Sequence, residues 1–496
     1  MSMINISNLT FGYDGSSENV FENVSFRIDT DWRLGFTGRN GRGKTTFLHL
    51  LLGSLEYSGT ISASVDFEYF PYNVSNSDNL TIDIIREISA DIEDWKIYRE
   101  MSLLDVSEDA LWRPWNTLSN GEQTKAMLAG MFLRENAFLL IDEPTNHLDM
   151  EARQHLGEYL KKKKGFILVS HDRTFLDSCI DHVLAINRTN IEIQSGNFST
   201  WQANKEMRDS FEFAENEKLK REIKSLEAAA KKASEHSDKI ERTKIGFDPS
   251  KTEKSTSRRA SVAAKSKKLM NRAKAMETRI ASDIDKKSAL LRNIEQADSL
   301  KISPLKFHSA RLLEVKNLAV EYDGRTVCKN VSFEVMQGER IALCGKNGCG
   351  KSSVLKLILG EKITHSGEIY GADKLKLSYV QQKTDALSGT LTEYAESKEI
   401  DESLFKTILR KLDFSRELFE RKIESYSGGQ KKKVLIAGSL CEQAHLYIWD
   451  EPLNFIDILS RIQIEELITN FQPTMIFVEH DKAFCENTAT KMIVIE

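Results

Sequence analysis

The sequence predicts two α/β domains in tandem, each with a phosphate-binding loop, joined by a long antiparallel helical hairpin. Segments of the N-terminal part return near the end of the chain at offsets of 307 to 309 residues. In both copies, short β-branched runs bounded by glycine alternate with helical stretches, which is typical of a largely parallel sheet. Between the copies, about 100 residues contain a single glycine and a single proline, Gly246 and Pro249.

The repeat divides the chain. Its matched positions include Gly38 with Gly345, Ser119 with Ser427, and His171 with His480. A period this long indicates two homologous domains rather than a solenoid of short repeats. We therefore expect a first domain at 1–203, a connecting segment at 204–303 and a second domain at 304–496.

Composition is typical of a water-soluble protein, with 40% hydrophobic residues and a mean hydropathy of −0.39. No apolar run approaches the roughly 18 residues that a membrane helix needs. The N-terminus lacks the basic and apolar regions of a secretion signal. Six scattered cysteines form no CxxC motif, which favours reduced thiols over zinc sites or disulfides. We expect a cytoplasmic protein with no membrane partner.

Charge is distributed unevenly along the chain. Between Lys231 and Arg279, fifteen Lys and Arg residues face six Asp and Glu residues, a local charge of +9. The formal net charge of the whole chain is −5, which leaves −14 on the remainder. An acidic body with one basic segment indicates an anionic partner that is met at one place.

The connecting segment has the pattern of two long helices. Apolar residues recur at three- and four-residue steps on both sides of its centre, which predicts one apolar stripe per helix and antiparallel packing. An arm of about 35 residues would extend roughly 50 Å. The turn between the arms, about Arg242 to Arg259, is polar and basic. The stripe residues are Ile223, Leu226, Ala230, Ala233 and Ile240, then Leu269, Ala273, Met276, Ile280, Leu291 and Ile294.

Two segments match the phosphate-loop pattern GxxxxGK[ST], Gly38–Thr45 and Gly345–Ser352. Glycines let backbone N–H groups surround phosphates at a helix N-terminus, the lysine holds the β and γ phosphates, and the hydroxyl ligates Mg²⁺. Each loop follows an apolar strand, as this motif requires. The candidate ATP-binding residues are Gly38, Asn40, Gly41, Gly43, Lys44, Thr45, Thr46, Gly345, Asn347, Gly348, Gly350, Lys351, Ser352 and Ser353.

Paired carboxylates end two later apolar runs, Asp142-Glu143 and Asp450-Glu451. At a strand end the aspartate can orient Mg²⁺, with Thr45 or Ser352 as a second ligand, and the glutamate can accept a proton from the attacking water. The alternative interpretation is a strand-end turn with two solvated acids.

Two histidines, His171 and His480, each follow an apolar strand and precede an aspartate. A single histidine in this position is usually structural. Because the two occur at matching positions of the repeat, we interpret them as γ-phosphate sensors.

Ser119-Asn120-Gly121-Glu122-Gln123 and Ser427-Gly428-Gly429-Gln430 resemble the signature motif of ABC ATPases. The resemblance implies that each signature completes the ATP site of the opposite domain. It also implies adenine stacking by Tyr13 and Tyr322, although each could instead be a core tyrosine, and Mg²⁺ contact by Gln382. The signature residues expected to bind ATP are Ser119, Gly121, Glu122, Ser427, Gly428, Gly429 and Gln430.

The order of parts resembles the ABC-F family of translation ATPases, as does the motif Asp142–Asp149. Trp112–Pro114, Tyr447–Asn454 and the run Lys431–Lys433 are similar to the antibiotic-resistance branch, Lsa-type proteins above all. The resemblance implies a fold of two tandem ABC-type P-loop nucleotide-binding domains joined by a helical hairpin. It also implies ATP hydrolysis with ATP and Mg²⁺, and protection of translation from lincosamide, pleuromutilin and streptogramin A antibiotics at the peptidyl-transferase centre.

The partner implied is the bacterial ribosome, through rRNA near that centre and the P-site tRNA, bound by a monomer whose two domains pair within one chain. The alternatives are a solvated coiled-coil face for the basic stretch, and a housekeeping ABC-F translation factor or the ATPase subunit of an ABC transporter for the whole chain. We expect RNA contact at the turn of the hairpin. The residues expected to make it are Lys244, Phe247, Lys251, Lys254, Arg258 and Arg259.

Two positions depart from the family pattern. Tyr72 stands where the family often has the Mg²⁺-contacting glutamine, and Asn120 replaces a signature glycine. Tyrosine is a poorer Mg²⁺ ligand than an amide carbonyl, which predicts slower hydrolysis at the Lys44 site. The phosphate loops precede their signatures by 81 and 82 residues, which leaves no room for the arm insertion of housekeeping members.

Overall fold

The structure is a computed structural model, and it divides into two compact units, Met1–Trp201 with Ala297–Glu496, and Gln202–Gln296. It describes residues 2–14, 19–89, 92–146, 148–187, 190–245, 267–268, 271, 275, 278–280, 282, 300–322 and 324–495.

The first half of the larger unit alternates strands with helices, as the sequence predicts. Two short 3₁₀ helices, Glu108–Trp112 and Trp115–Thr117, lead into its fourth helix. Its elements are β1 (Met3–Phe11), β2 (Phe21–Asp29), β3 (Arg33–Thr37), α1 (Lys44–Leu51), β4 (Ser58–Ser62), β5 (Asp66–Phe70), α2 (Thr81–Ile88), α3 (Asp94–Leu103), α4 (Asn120–Leu133), β6 (Ala137–Asp142), α5 (Met150–Lys161), β7 (Phe166–Val169), α6 (Arg173–Cys179), β8 (His182–Asn187) and β9 (Asn190–Ser195).

A helix of 48 residues follows, α7 (Phe198–Ile245). It extends about 70 Å at 1.5 Å per residue, and it begins inside the predicted first domain. Its first turn belongs to the larger unit because Phe198 and Trp201 are buried in the core of the first half. Asn197 caps this end by accepting the N–H of Thr200 at 3.0 Å. Beyond α7, the residues described between 267 and 282 are helical.

The second half repeats the order of the first. Its 3₁₀ helices are Arg416–Glu420 and Ile423–Ser425. Its other elements are β10 (Arg311–Tyr322), β11 (Arg325–Met336), β12 (Arg340–Cys344), α8 (Lys351–Ile358), β13 (His365–Gly371), β14 (Leu377–Val380), α9 (Leu391–Ser397), α10 (Glu402–Lys411), α11 (Gly428–Cys441), β15 (Leu446–Asp450), α12 (Ile458–Phe471), β16 (Met475–Val478), α13 (Lys482–Thr488) and β17 (Lys491–Val494).

Each half has one mainly parallel sheet and one antiparallel sheet. The parallel sheets have the orders β5-β6-β7-β3-β8-β9 and β14-β15-β16-β12-β17, and only β9 runs antiparallel to its neighbour. The antiparallel sheets are β2-β1-β4 and β11-β10-β13. Every residue of β7, β15 and β16 is buried, because a parallel sheet is covered on both faces.

The strand order brings three loops to one edge of each parallel sheet. In the first half, Val169 of β7 pairs with both Phe36 of β3 and Asp142 of β6. In the second half, Val478 of β16 pairs with Leu343 of β12 and Asp450 of β15. The carboxyl ends of three neighbouring strands therefore coincide, and in such sheets ligands bind outside these ends.

The two halves contact each other directly. The Arg153 guanidinium, which is buried, pairs with Asp172 at 2.9 Å and donates to the His480 carbonyl of the other half at 3.3 Å. Arg173 forms a largely buried ion pair with Glu465. In the part of the chain that the structure describes, no helix is both long and apolar enough to cross a membrane.

Candidate ATP sites at the interface of the two halves

The phosphate loop of the first half lies between β3 and α1. Gly41 and Gly43 adopt φ angles of 79° and 89°, a region that favours glycine. A Cβ at Gly43 would also lie 2.4 Å from Val20 Cγ1. The Lys44 ammonium is buried and donates to the carbonyls of Gly38 at 2.7 Å and Arg39 at 3.1 Å. It therefore lies inside the loop that would surround the phosphates.

The phosphate loop of the second half has the same geometry between β12 and α8. Gly348 and Gly350 have φ angles of 80° and 90°. Lys351 Nζ donates to the carbonyls of Gly345 and Lys346, both at 2.8 Å. The two lysines predicted to hold phosphate thus occupy equivalent places in equivalent loops.

The side chains predicted to hold Mg²⁺ lie together in both halves. Thr45 Oγ1 donates to Asp142 Oδ2 at 3.0 Å, and Ser352 Oγ donates to Asp450 Oδ1 at 3.1 Å. A hydroxyl beside a carboxylate supplies the hard oxygen ligands that Mg²⁺ takes beside ATP phosphates. The residues present therefore fit the ion in both sites.

Tyr69 is a neighbour of this group that the sequence did not reveal. Its hydroxyl donates to Asp142 Oδ2 at 3.1 Å. Burial, together with the Asp142 charge, raises the pKa of this phenol, so it remains a hydrogen-bond donor at neutral pH. Its aromatic strand position is equally typical of a core residue, so the pattern alone could not assign it.

Each candidate base faces the histidine predicted as its partner. Glu143 Oε1 lies 3.4 Å from His171 Nε2, and Glu451 Oε1 lies 3.7 Å from His480 Nε2. Both glutamates follow their strand at a positive φ, 52° and 46°. Such backbone conformations are uncommon outside glycine and concentrate at functional sites.

The electrostatic environments of the two bases differ. Burial and the Asp142 charge raise the pKa of Glu143 to about 8. Burial also acts to raise the pKa of Glu451, but the nearby His480 and Gln382 side chains and a hydrogen bond from Asn454 outweigh it and lower that pKa to about 2. The Asn454 amide donates at 2.6 Å.

The candidate sensor of the first half is also affected by its surroundings. Burial and the Lys44 charge hold the pKa of His171 well below its usual range. The structure therefore favours a neutral imidazole beside Glu143.

The signature serines, Ser119 and Ser427, are the N-caps of α4 and α11 and form reciprocal capping boxes with them. Ser119 N–H donates to Glu122 Oε2 at 2.8 Å, and the Glu122 N–H donates back to Ser119 Oγ at 3.3 Å. Ser427 N–H donates to Gln430 Oε1 at 2.9 Å. Glu122 and Gln430, which we expected to contact ATP, thus fix the end of the helix that carries each serine.

The phosphate loop of the second half faces the signature of the first half across a cavity of ≈ 1050 Å³. Asn347 N–H donates to Asp149 Oδ2 at 3.4 Å. Lys346 pairs with Glu151 at 3.0 Å. The predicted residues that line this cavity are Ser119, Gly121, Glu122, Tyr322, Asn347, Gly348, Gly350, Lys351, Ser352, Ser353, Gln382, Glu451 and His480.

The phosphate loop of the first half meets the second half in the same way. Asn40 Nδ2 donates to the Phe455 carbonyl at 2.9 Å. A Cβ at Gly429 of the signature would lie 3.2 Å from this amide nitrogen, and Arg39 pairs with Asp413 at 3.3 Å. Each site thus combines a phosphate loop of one half with the signature region of the other.

The two tyrosines expected to stack on adenine, Tyr13 after β1 and Tyr322 at the end of β10, lie beside the first turns of α1 and α8. Tyr13 is 52% exposed and its hydroxyl lies 2.7 Å from Thr46 Oγ1. Tyr322 is 43% exposed and its hydroxyl lies 3.1 Å from Ser353 Oγ. This exposure suits a ring that offers one face to a ligand better than it suits a core tyrosine.

The positions that depart from the family pattern have different surroundings. Gln382 is exposed and lines the cavity together with Glu451, whose pKa it helps to lower. Tyr72 is half-buried and packs against the core, and its N–H points to Met127 Sδ at 3.0 Å. Asn120 lines the cavity beside Ser119.

The side chains expected to contact RNA lie outside the described part of the chain. Lys244 belongs to α7, but its side chain lies outside the described part of the chain. Phe247, Lys251, Lys254, Arg258 and Arg259 lie outside the described residues altogether. Their role stays a prediction from the sequence.

Comparison with known proteins fits this geometry. The ABC transporter family matches residues 21–146 and 328–454, a little over half of the chain and both phosphate-loop regions. Among solved structures, the complex of archaeal ribosomal stalk protein aP1 with the recycling factor aABCE1 has a TM-score of 0.64 at 19% identity, over 99% of this chain and 87% of that one. The structure titled RNase-L Inhibitor has a TM-score of 0.63 at 18% identity, over 99% and 88%. These likenesses confirm the fold of two tandem nucleotide-binding domains.

Curated relatives match along nearly the whole length. The ribosome protection protein VmlR of Bacillus subtilis (strain 168) is 28% identical over 97% of this chain and 85% of its own. The ATP-binding protein Uup of Buchnera aphidicola (subsp. Acyrthosiphon pisum) is also 28% identical, over 99% and 80%. ABC transporter F family member 2 of Arabidopsis thaliana is 26% identical over 100% and 76%. This chain belongs to the ABC transporter family, as an ABC-F ATPase with two ATP-binding domains in one polypeptide.

Proposed function

We propose that this ATPase binds the bacterial ribosome in the cytoplasm and protects translation from antibiotics that act at the peptidyl-transferase centre. The observation that supports this most is the similarity to the ribosome protection protein VmlR, which extends over 97% of the chain and so includes the segment between the two domains. We expect lincosamides, pleuromutilins and streptogramin A compounds to be opposed.

ATP would drive this activity through the shared composition of the sites. A phosphate held by Lys351 would also lie before Ser119 of the other half, across the cavity that both line. Binding of ATP therefore favours the closed arrangement of the two halves, and hydrolysis removes the γ-phosphate contact that held it. The protein would bind ribosomes when closed and leave after hydrolysis.

Within the Lys351 site, the chain's own groups would divide the chemistry. Lys351 would exchange its two carbonyl partners for phosphate oxygens. Glu451 would take the proton of the attacking water, and His480 would hold the γ-phosphate. Mg²⁺, held by Ser352 and Asp450, would neutralise charge on the phosphates when bound.

The basic segment would supply the RNA contact. Its local charge of +9 lies on the part of the chain that connects the two domains. Lysine and arginine neutralise phosphate, whereas an aromatic ring can stack on an unpaired base. The residues predicted at the turn, Lys244 to Arg259 with Phe247 among them, would therefore contact rRNA or the P-site tRNA.

A housekeeping role in translation is the second candidate. The observation that favours it is the similarity to Uup, equal at 28% identity over 99% of the chain. The two candidates differ in what their loss should cause. Loss of a protection protein matters only when the drug is present, whereas loss of a housekeeping factor slows growth without it.

Shortening the turn tests the proposal. A chain that lacks residues between Thr243 and Ser257 should hydrolyse ATP normally yet fail to raise the minimum inhibitory concentration of a lincosamide in a susceptible host. A second variant keeps the length and replaces only Phe247 by alanine. It should weaken protection more than the replacement of one lysine does. Full protection by the shortened chain at normal expression would contradict the proposal and favour the housekeeping role.

A further inference from the structure

The run Lys431–Lys433 on α11 contains two buried lysines, Lys432 at 1% and Lys433 at 5% exposure. Lysine is almost never fully buried unless its ammonium has partners. Lys433 has an ordinary partner, the carboxylate of Asp457 at 2.8 Å. Lys432 requires a different explanation.

Within the part of the chain that the structure describes, the ammonium of Lys432 donates to three backbone carbonyls. They belong to Gln381 at 2.9 Å, Glu451 at 3.0 Å and Asp450 at 3.4 Å. An ammonium has three N–H donors, and these three contacts use them all. One side chain therefore joins the loop after β14 to the end of β15.

These carbonyls adjoin the reactive part of the Lys351 site. Gln381 precedes Gln382, whose side chain lines the same cavity as Glu451 and helps to lower the pKa of its carboxyl. The backbone of Glu451 has the unfavourable φ of 46°, and its own carbonyl is one of the three that Lys432 holds. The ammonium thus holds the backbone at Glu451 and next to Gln382, the two residues whose side chains line the cavity.

The other half has no lysine at this position. At the offset that relates Ser119 to Ser427, Lys432 corresponds to Thr124. Threonine has no charge and too short a side chain to bridge two loops. There, Tyr72 at the position of Gln382 packs on the core instead.

We propose that Lys432 is a positioning residue of the Lys351 site, which holds Gln382 and Glu451 in the relative geometry that hydrolysis requires. The Lys44 site works without such a brace. The two ATP sites of this chain therefore differ in construction, and a change at Lys432 acts on one of them.

The test replaces Lys432 by methionine, which keeps the length and removes the ammonium, in two backgrounds. With Glu143→Gln, the remaining turnover reports the Lys351 site, and Lys432→Met should lower kcat by on the order of 10- to 100-fold, the usual result of small misplacement of reacting groups. With Glu451→Gln, the remaining turnover reports the Lys44 site and should change less than about twofold. Lys431→Met, at the half-buried neighbouring position, is the matched control.

Four further measurements separate positioning from damage to the fold. The affinity for a fluorescent ATP analogue and the Tm should stay near those of the parent, and Lys432→Gln, which retains N–H donors, should recover part of kcat. In single-turnover experiments on the chain with both glutamates intact, Lys432→Met should slow the hydrolysis of one of the two bound ATP molecules and leave that of the other unchanged. Equal loss in both backgrounds, or no loss with Glu143→Gln, would overturn the proposal.

Discussion

The two halves share a fold but solve one packing problem in opposite ways. In the first half, Glu100 is buried at 1% exposure between α3 and α5 and accepts from Tyr159 at 2.6 Å and Lys163 at 2.5 Å. In the second half, the positions of Glu100 and Tyr159 hold Ile408 and Leu467, both buried. A buried ionic network and an apolar contact can stabilise equivalent sites about equally.

The ATP sites differ from these surroundings because their parts are repeated almost unchanged. Phosphate loop, hydroxyl–carboxylate pair, base and histidine occur twice with contact distances that agree within a few tenths of an ångström. Chemistry fixes those residue types, whereas packing requires only a filled and satisfied interior. The comparison teaches where a duplicated domain is free to diverge.

The largest expected effect comes from disabling both halves together. Replacing Glu143 and Glu451 by glutamine removes both proton acceptors while leaving the phosphate loops intact. Turnover should fall by about 10²–10⁴, and ATP binding should persist, with the protein accumulating on ribosomes in co-sedimentation. Unchanged steady-state ATPase activity would show that neither glutamate is the base.

Breaking the buried network of the first half should lower stability strongly, whereas replacing it by the apolar residues of the second half should lower it little. Tyr159→Phe with Lys163→Met removes two donors from a carboxylate that stays buried, and should lower stability by about 3–5 kcal/mol. Adopting the pattern of the second half, Glu100→Ile with Tyr159→Leu, should restore most of it. Calorimetric Tm values decide, and an equally low Tm for the apolar version would refute the equivalence.

The same network predicts how stability depends on pH. Burial acts to raise the pKa of Glu100, but hydrogen bonds from Lys163 and Tyr159 outweigh it and lower that pKa below 4.5. A carboxyl with a depressed pKa stabilises the fold above its unfolded pKa and loses that contribution as pH falls. The parent should therefore lose Tm below about pH 4.5 more steeply than the apolar version.

Hydrolysis should also be unequal between the halves, by a smaller factor. Glu451 accepts a hydrogen bond from Asn454 and shares its cavity with Gln382, whereas Tyr72 at the equivalent position of Gln382 packs on the core. Glu143→Gln should therefore retain about 3- to 10-fold more turnover than Glu451→Gln. Equal residual rates would refute the asymmetry.

The smallest effects concern ion pairs that cross the interface. Arg39 and Asp413 have side chains 11% and 31% exposed, whereas Lys346 and Glu151 are 76% and 58% exposed. Exposed pairs contribute about 0–1 kcal/mol. Asp413→Ala should weaken apparent ATP affinity a few-fold at most, and Glu151→Ala should leave it unchanged, as titration with ATP will measure.

The sequence predicted the features that have a fixed pattern. Gly38–Thr45 and Asp450-Glu451 follow strands because the phosphate chemistry demands these types at these places. It could not predict Tyr69 or Lys432, because their roles depend on which distant loops the fold brings near them. Nor did it place the start of α7. That start is set by the burial of Phe198 and Trp201 in the core, and no break in the helical pattern marks it.

At Glu143 and Glu451, the positive φ angles lower the stability of the fold at positions where catalysis requires a carboxylate. A side chain held in this backbone conformation costs about 1–3 kcal/mol relative to a relaxed residue, and glycine would avoid most of that cost. Glycine would also remove the carboxylate. Selection for stability therefore favours glycine at these two positions, whereas selection for hydrolysis favours glutamate. A laboratory search for heat-resistant variants should find inactive variants with substitutions here.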